Sequence, residues 1–356
     1  MAPMHIGLDV TAAISGTTGV ARYARQLLAH LPEHDDVEVH PFAIGRSPRP
    51  APVGARHLRV PLRVVHAAWR SVPFPGARTL AGPVHLVHAV DMVPPPGRVP
   101  AVVTIHDVLP LQIPEEYGPR YRRIAAAQAK AARRGATVIA DCEASADAIA
   151  EVIGIPREGI AVALLGHREP AADPISAPVE GPYLLAVGAL TPRKGFHLLA
   201  EAVGRLPAGT PPLLVAGPDG WAGAEVRQRI AALGLGDRVQ LLGEVSDRQL
   251  DGLYRGALLA CHPSRAEGFG MPCLEAMRFG VPLLAADIPP VREITGGAAR
   301  LVPRDDVGAL AEALADLLDD ESARRALVSA GRARAEDFSW ATMTDRVVDV
   351  YRAVLA

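Results

Sequence analysis

Residues 264–280 read SRAEGFGMPCLEAMRFG, and the apolar run 257–261, ALLAC, leads straight into them. A short uninterrupted apolar run suits a strand buried on both faces. His262, Pro263 and Ser264 end it, and Gly268 and Gly270 let the chain turn sharply. Pro272 fits the first position of a helix, where its missing N–H costs nothing. Leu274, Met277 and Arg278 continue that helix and Gly280 stops it. Buried strand, glycine turn and helix form the unit from which open parallel α/β sheets are built. The N–H groups at such a helix start face open space and favour an anion. Glu267 lies in the turn and Glu275 one turn into the helix. By spacing alone, two solvated acids and two ligand-binding acids beside an anion site fit equally well.

The same alternation extends in both directions. Downstream come predicted strands at 282–285 and 299–302, helices over most of 306–335, and a last helix capped by Ser339 that ends near Leu355. Upstream, strand 183–187 enters 188–195, GALTPRKG, and a helix starts near Phe196. Arg193 and Lys194 in that strand-to-helix turn suit phosphate, although a solvated basic turn has the same look. Strand 213–216 enters Gly217-Pro218-Asp219, a helix covers about 222–233, and strand 239–242 enters 243–246, GEVS.

In the first half, strand 5–10 enters 16–19, GTTG, and Val20, Tyr23, Ala24, Leu27, Leu28 and Leu31 then recur at helical spacing. The turn lacks G-x-G-x-x-G, so a dinucleotide site has little support. Strand 37–43 follows, then loops and one short helix over the proline- and arginine-rich 45–83. His85 and His88 have metal-like spacing, with Asp91 nearby. Positions i and i+3 point to opposite faces of a strand, so ordinary strand histidines are expected. Strand 101–105 ends at His106-Asp107, where open α/β sheets gather their active groups; alone, a structural histidine fits as well. A helix over 119–134, strand 137–140, a helix from Cys142–Ser145 to Ile153, and strand 160–164 complete this half. The polar, proline-rich 168–181, REPAADPISAPVEG, reads as a linker.

With 356 residues the chain is long enough for two cores, and 49% hydrophobic with 21% charged residues is an ordinary globular composition. A net charge of -2 argues against a general nucleic-acid binder. Cys142, Cys261 and Cys273 show no C-x-x-C spacing, which suits a reduced, cytoplasmic protein. The start MAPMHIGLDV has no signal-peptide pattern, and no apolar run approaches the ~18 residues that span a bilayer. From 118 to 135 the chain carries Arg120, Arg122, Arg123, Lys130, Arg133 and Arg134 with no acid among them. A solvated helix face is one reading of that run, and peripheral contact with an anionic membrane is the other.

The run EGFGMPCLEAM resembles the E-x7-E signature of the retaining glycosyltransferases of family 4, which have the GT-B fold. The similarity covers nearly the whole chain, with its motifs in the expected order. SGTTGVARY resembles that family's N-terminal glycine loop, and VTIHDVLPL followed by PEEY its His-Asp segment. The segment 188–195 matches a G-x-x-x-x-R-K-G element, and 243–246 the loop that carries the nucleotide base. Two departures stand out: Cys142-Glu143 where the family more often has Ser-Glu, and Gly166-His167-Arg168 where Gly-Val-Asp is usual. The whole pattern is most similar to bacterial mannosyltransferase-type members.

The resemblance implies two doubly wound, Rossmann-like domains facing across a cleft: an acceptor domain over 1–170, a donor domain over 171–335, and a helix over 336–356 crossing back. It implies transfer of a hexose, with GDP-mannose the first choice, from a nucleoside diphosphate to an acceptor hydroxyl on a polysaccharide, a lipid-linked sugar or a small molecule. Anomeric configuration is kept and neither a metal nor another cofactor is used. His106, Arg193, Lys194 and Glu267 become the catalytic candidates. Arg193 and Lys194 bind the diphosphate, Glu275 holds the ribose, and Glu267 and His106 bracket the sugar. Gly16, Gly19, Gly188, Gly217, Val245, Gly268, Phe269, Gly270 and Met271 complete the donor set. A nucleotide-sugar epimerase and a non-catalytic nucleotide-sugar binder are the alternatives.

Overall fold

A computed structural model describes every residue except Met1, Thr17, Pro48 and Asp91. The chain divides into two units, Met1–Gly166 with Ser339–Ala356, and His167–Phe338. Among the described residues the first unit has strands β1 (Met4–Asp9), β2 (Val37–Ile44), β3 (Arg56–Leu58), β4 (Leu86–Ala89), β5 (Ala101–Thr104), β6 (Thr137–Ala140) and β7 (Ile160–Val162). The second has β8 (Leu184–Val187), β9 (Leu213–Ala216), β10 (Val239–Gly243), β11 (Leu259–His262), β12 (Leu283–Ala286) and β13 (Arg300–Val302). The sheet orders are β3-β2-β1-β4-β5-β6-β7 and β10-β9-β8-β11-β12-β13, with every recorded pairing parallel. The order reverses between β1 and β4 and between β8 and β11, which are the switch points of two doubly wound sheets.

The central strands are short and buried on both faces. β4, β9, β11 and β12 are buried along their whole length. Alternate residues feed opposite faces: Leu184, Ala186, Leu213 and Val215 join one core layer, and Leu185, Leu214 and Ala216 the other. The helix Phe196–Gly204 covers the first layer with Leu199 and Val203, and the helix Met271–Phe279 covers the second with Cys273 and Ala276.

The last helix, Trp340–Leu355, starts at Ser339, whose side chain accepts from the Thr342 N–H. It packs within the first unit on the helix Gly19–His30. There the Tyr351 hydroxyl lies 2.6 Å from His88 Nδ1, and Arg352 holds Asp36 through contacts of 2.9 and 3.0 Å.

His88 is fully buried between Tyr351 and Thr104, and burial pushes its imidazole down to about 3. It is therefore a neutral core histidine, while His85 Nδ1 accepts the His5 N–H at 3.1 Å. Asp91, and Thr17 of the first glycine turn, lie outside the described residues.

Several elements escaped the sequence: β3, the short helices Thr11–Ser15 and Leu109–Gln112, a second helix within 45–83 (Leu62–Ala68 and Ala77–Ala81 where one was expected), and the helices Asp247–Gly256 and Pro289–Thr295. The segment 168–181 also differs from the expected free linker. Arg168 is buried, Ile175 donates its N–H to Arg248 O at 2.9 Å, and Ala177 and Val179 pack on the core of the second unit. The first unit ends at Gly166 and the second begins at His167.

Candidate functional site

In open α/β sheets ligands gather at the carboxyl ends of the strands beside the switch point. In the second unit those strands are β8 and β11. β8 runs into the turn Pro192–Lys194, and β11 ends at His262 and continues to Glu267. The two turns are pressed together at Gly195, which has φ 67°. A Cβ there would lie 2.3 Å from Pro263 O, so only glycine allows this approach.

The approach assembles a buried charge cluster. Glu267 Oε1 lies 2.5 Å from Lys194 Nζ and 3.0 Å from His262 Nε2, and Oε2 lies 3.2 Å from Arg193 Nη1. Arg193 Nη1 also donates to Ala266 O at 3.1 Å. Burial by itself would raise the Glu267 carboxyl. The Lys194 ammonium, the His262 hydrogen bond and the Arg193 charge outweigh it and hold the group well below the ordinary carboxylate range. Burial also pushes the His262 imidazole down, against the pull of Glu267. Two cations, one carboxylate and a neutral imidazole leave the cluster with an excess positive charge. Arg193, with 21% of its side chain exposed, is the most accessible member.

The helix after Glu267 begins at Met271, with Gly270 as its left-handed cap at φ 106° and no side chain capping it. Pro272 is thus the second helical residue rather than the first. The helix start offers fewer donors than the sequence suggested, because Cys273 and Leu274 direct their N–H groups to Gly270 O. Phe269 is buried, its ring edge-on to Phe338 at 6.1 Å, which gives it a packing role.

Glu275 is buried as well. Its Oε2 accepts the Tyr254 hydroxyl at 3.1 Å, and its Oε1 lies 3.5 Å from Arg168 Nε. Arg168 also pairs with the fully buried Asp251, and its guanidinium lies 5.5 Å over the Phe279 ring, which stacks on Tyr254. Burial works against the Arg168 charge, and Glu275 and Asp251 more than restore it. Asp251 and Tyr254 come from the helix Asp247–Gly256, which sequence reasoning missed. Its signal was the capping box: Ser246 accepts the Gln249 N–H, and the Gln249 side chain accepts the Ser246 N–H.

Close backbone approach also governs the ends of β8 and β9. A Cβ on Gly217 (φ 149°) would lie 2.1 Å from Gly188 O, so these two glycines permit the ends of β8 and β9 to meet. Val245 packs, partly buried, beside the core of the second unit, and Gly268 and Met271 flank the helix start.

In the first unit, His106 follows β5 and Asp141 follows β6. His106 Nδ1 lies 2.8 Å from Asp141 Oδ2 and 3.1 Å from Oδ1, which fixes the ring and places its proton on Nδ1. The Tyr23 ring meets it edge-on at 5.0 Å, with the Tyr23 hydroxyl 3.0 Å from Thr104. Gly16 has an extended φ of 170°, and Gly19 opens the helix Gly19–His30, which Thr18 caps.

Comparison with known proteins follows the same division. Residues 17–166 match the family described as Glycosyltransferase Family 4, and residues 168–334 match Glycosyl transferases group 1. The chain belongs to the family 4 glycosyltransferases. Among relatives, the O-antigen chain mannosyltransferase B of Escherichia coli is 33% identical over 173 residues, covering 48% of this chain and 45% of that protein. The MMP alpha-(1->4)-mannosyltransferase of Mycolicibacterium hassiacum is 32% identical over 233 residues, covering 64% of this chain and 57% of the relative. The chain therefore spans about half the length of these two family members. Sucrose-phosphate synthase from Thermosynechococcus elongatus superposes with a TM-score of 0.78 at 21% identity, over 99% of both chains. That likeness concerns the fold, which is GT-B.

Proposed function

We propose that this chain is a retaining glycosyltransferase that moves a hexose from a nucleoside diphosphate to an acceptor hydroxyl without a metal ion. The observation that carries the reading is the Arg193–Lys194–Glu267 cluster at the carboxyl ends of β8 and β11. As the anomeric C–O bond breaks, charge develops on the departing diphosphate. Preformed cations at that position stabilise it most. An incoming diphosphate competes with Glu267 for both cations through charge-assisted hydrogen bonds.

Glu267 fits the role of a positioning residue better than that of a nucleophile. Both of its oxygens are occupied by Lys194, His262 and Arg193, and a carboxylate held so far below its ordinary range is a weak attacking group. A displacement in which the acceptor oxygen attacks from the leaving-group side fits this arrangement. The acceptor proton then passes to the departing diphosphate. Glu275 holds the ribose hydroxyls, with Tyr254 and Arg168 setting its orientation, and His106 takes part in turnover with its ring fixed by Asp141.

Two relatives named as mannosyltransferases make GDP-mannose the first donor to try. The test is turnover against a panel of nucleotide sugars, with the donor also incubated alone. Release of nucleoside diphosphate that requires an acceptor supports the reading. Epimer formation from donor alone identifies an epimerase, and binding without turnover identifies a non-catalytic binder.

The acceptor or its carrier is proposed to be anionic. The helix Pro119–Arg133 buries Ala125, Gln128, Ala129 and Ala132 and exposes Arg120, Arg122, Arg123 and Lys130. Among the described residues no helix is long and apolar enough to cross a membrane. The exposed basic face supports placing the enzyme on an anionic membrane surface.

A further inference from the structure

We propose that His5, Glu38 and His40 form a site for a borderline divalent cation of the zinc class, bracing β1 against β2. The parallel register pairs His5 with Glu38 and Gly7 with His40, so all these positions share one face of the sheet. Gly7 has no side chain to separate the two rings, and His40 reaches back to His5. His5 Nδ1 and His40 Nε2 face each other at 3.0 Å, with ring centroids 5.2 Å apart. The Glu38 carboxylate straddles the pair, one oxygen 3.5 Å from His5 Nδ1 and the other 3.3 Å from His40 Nε2.

Those separations are the reason to think of a cation. A tetrahedral zinc with nitrogen and oxygen ligands at ~2.0–2.1 Å places its ligand atoms about 3.3 Å from one another. The three groups offer one ligand atom each within 4.8 Å of one another, close enough for a small side-chain adjustment to bring them to three corners of such a tetrahedron, with water left for the fourth. Two imidazoles and one carboxylate favour zinc and its neighbours over magnesium or calcium, which take all-oxygen sets. Side-chain exposures of 31%, 53% and 26% for His5, Glu38 and His40 leave the site open to entry.

The surroundings hold His5 in place. His85 packs edge-on to His5 at 5.0 Å and accepts its backbone N–H, fixing the start of β1. The same sheet face continues into Phe42 and Ile44, packed with Ala77, Leu80, Ala81 and Val84. The site sits at the amino ends of the strands, whereas His106 follows the carboxyl end of β5. Its role is therefore stabilisation of the first unit, with no part in turnover.

The test is titration of untagged, chelator-treated full-length chain with zinc chloride, by calorimetry and by thermal melting, with magnesium chloride as control. The three cysteines are buried and do not compete in the folded protein. The expected result is one zinc per chain, a rise in melting temperature of roughly 5 °C at saturating zinc, and no response to magnesium. His40→Ala and Glu38→Gln should each weaken zinc binding at least tenfold. Glu38 is half exposed, so Glu38→Gln remains informative if His40→Ala fails to fold. Absence of saturable zinc binding, or equal zinc binding by the native chain and Glu38→Gln, overturns the proposal.

Discussion

Lys194 Nζ lies 2.5 Å from Glu267 Oε1, with only 9% and 8% of the two side chains exposed. A pair this deeply buried joins stability to chemistry. Lys194→Ala leaves a buried carboxylate without its nearest cation, which costs about 3–5 kcal/mol of stability. Arg193 is more exposed, so Arg193→Ala should separate the two effects. It should lower kcat about 10²-fold, on the order of 3 kcal/mol in the barrier, with little change in Tm. Turnover and melting measured on the same samples check this. Full activity in the double variant would remove the donor site from this end of the sheet.

Glu275→Gln should act on binding. It removes a charge-assisted acceptor from the ribose and weakens the Arg168 pairing. Nucleotide affinity by calorimetry should fall about tenfold or more with kcat less changed. Glu267→Gln should do the reverse, because it displaces Lys194 and Arg193 from the leaving group. The opposite pattern would mean that the two acids exchange roles.

Stability should fall on acidification from pH 7 to 5, and His88 should contribute to the slope. Its folded value, about 3, lies below the ordinary value of 6.5, so between those limits the unfolded chain binds a proton that the folded chain does not. Stability from this group is thus full above pH 6.5 and is lost as pH falls toward 3, at about 1.4 kcal/mol per pH unit. His88→Gln should be less stable at pH 7 yet show a shallower slope. An unchanged slope would assign the acid sensitivity to other groups.

Turnover should survive EDTA when assayed well below the melting temperature, even if the chelator lowers Tm by stripping the His5–Glu38–His40 site. NMR of the product should show the donor's anomeric configuration. An inverted linkage would rule out displacement from the leaving-group side.

Vesicles containing anionic lipid should co-sediment the chain at low salt and release it at high salt, since clustered basic residues near such a surface contribute about 1 kcal/mol each. Combined replacement of Arg120, Arg122 and Arg123 should abolish this. Equal binding to neutral vesicles would leave the basic face as solvated surface.

The sequence carried the chemistry of the donor site better than its support. Arg193, Lys194 and Glu267 were legible because each follows an apolar strand into a turn, and the fold brings those turns together. The helix Asp247–Gly256 was not legible. It is polar, is interrupted by Gly252, and shows only Leu250, Leu253 and Tyr254 as an apolar stripe. Without that helix, Arg168 looked like part of a solvated linker, because its partners Asp251 and Glu275 are remote in sequence. The resemblance places Gly217 in the donor set, and the close approach of Gly188 O independently requires glycine there, which the sequence does not reveal. Such contacts between distant backbone segments leave no periodic trace.

The first unit consists of Met1–Gly166 closed by Ser339–Ala356. During synthesis its last helix therefore leaves the ribosome only after all of His167–Phe338. The second unit, continuous in sequence, is free to fold first. Until translation reaches Tyr351 and Arg352, the first unit must wait with His88 and Asp36 uncovered. A fragment ending at Gly166 inherits that exposed surface permanently, and aggregation is the expected fate of such a half-covered sheet.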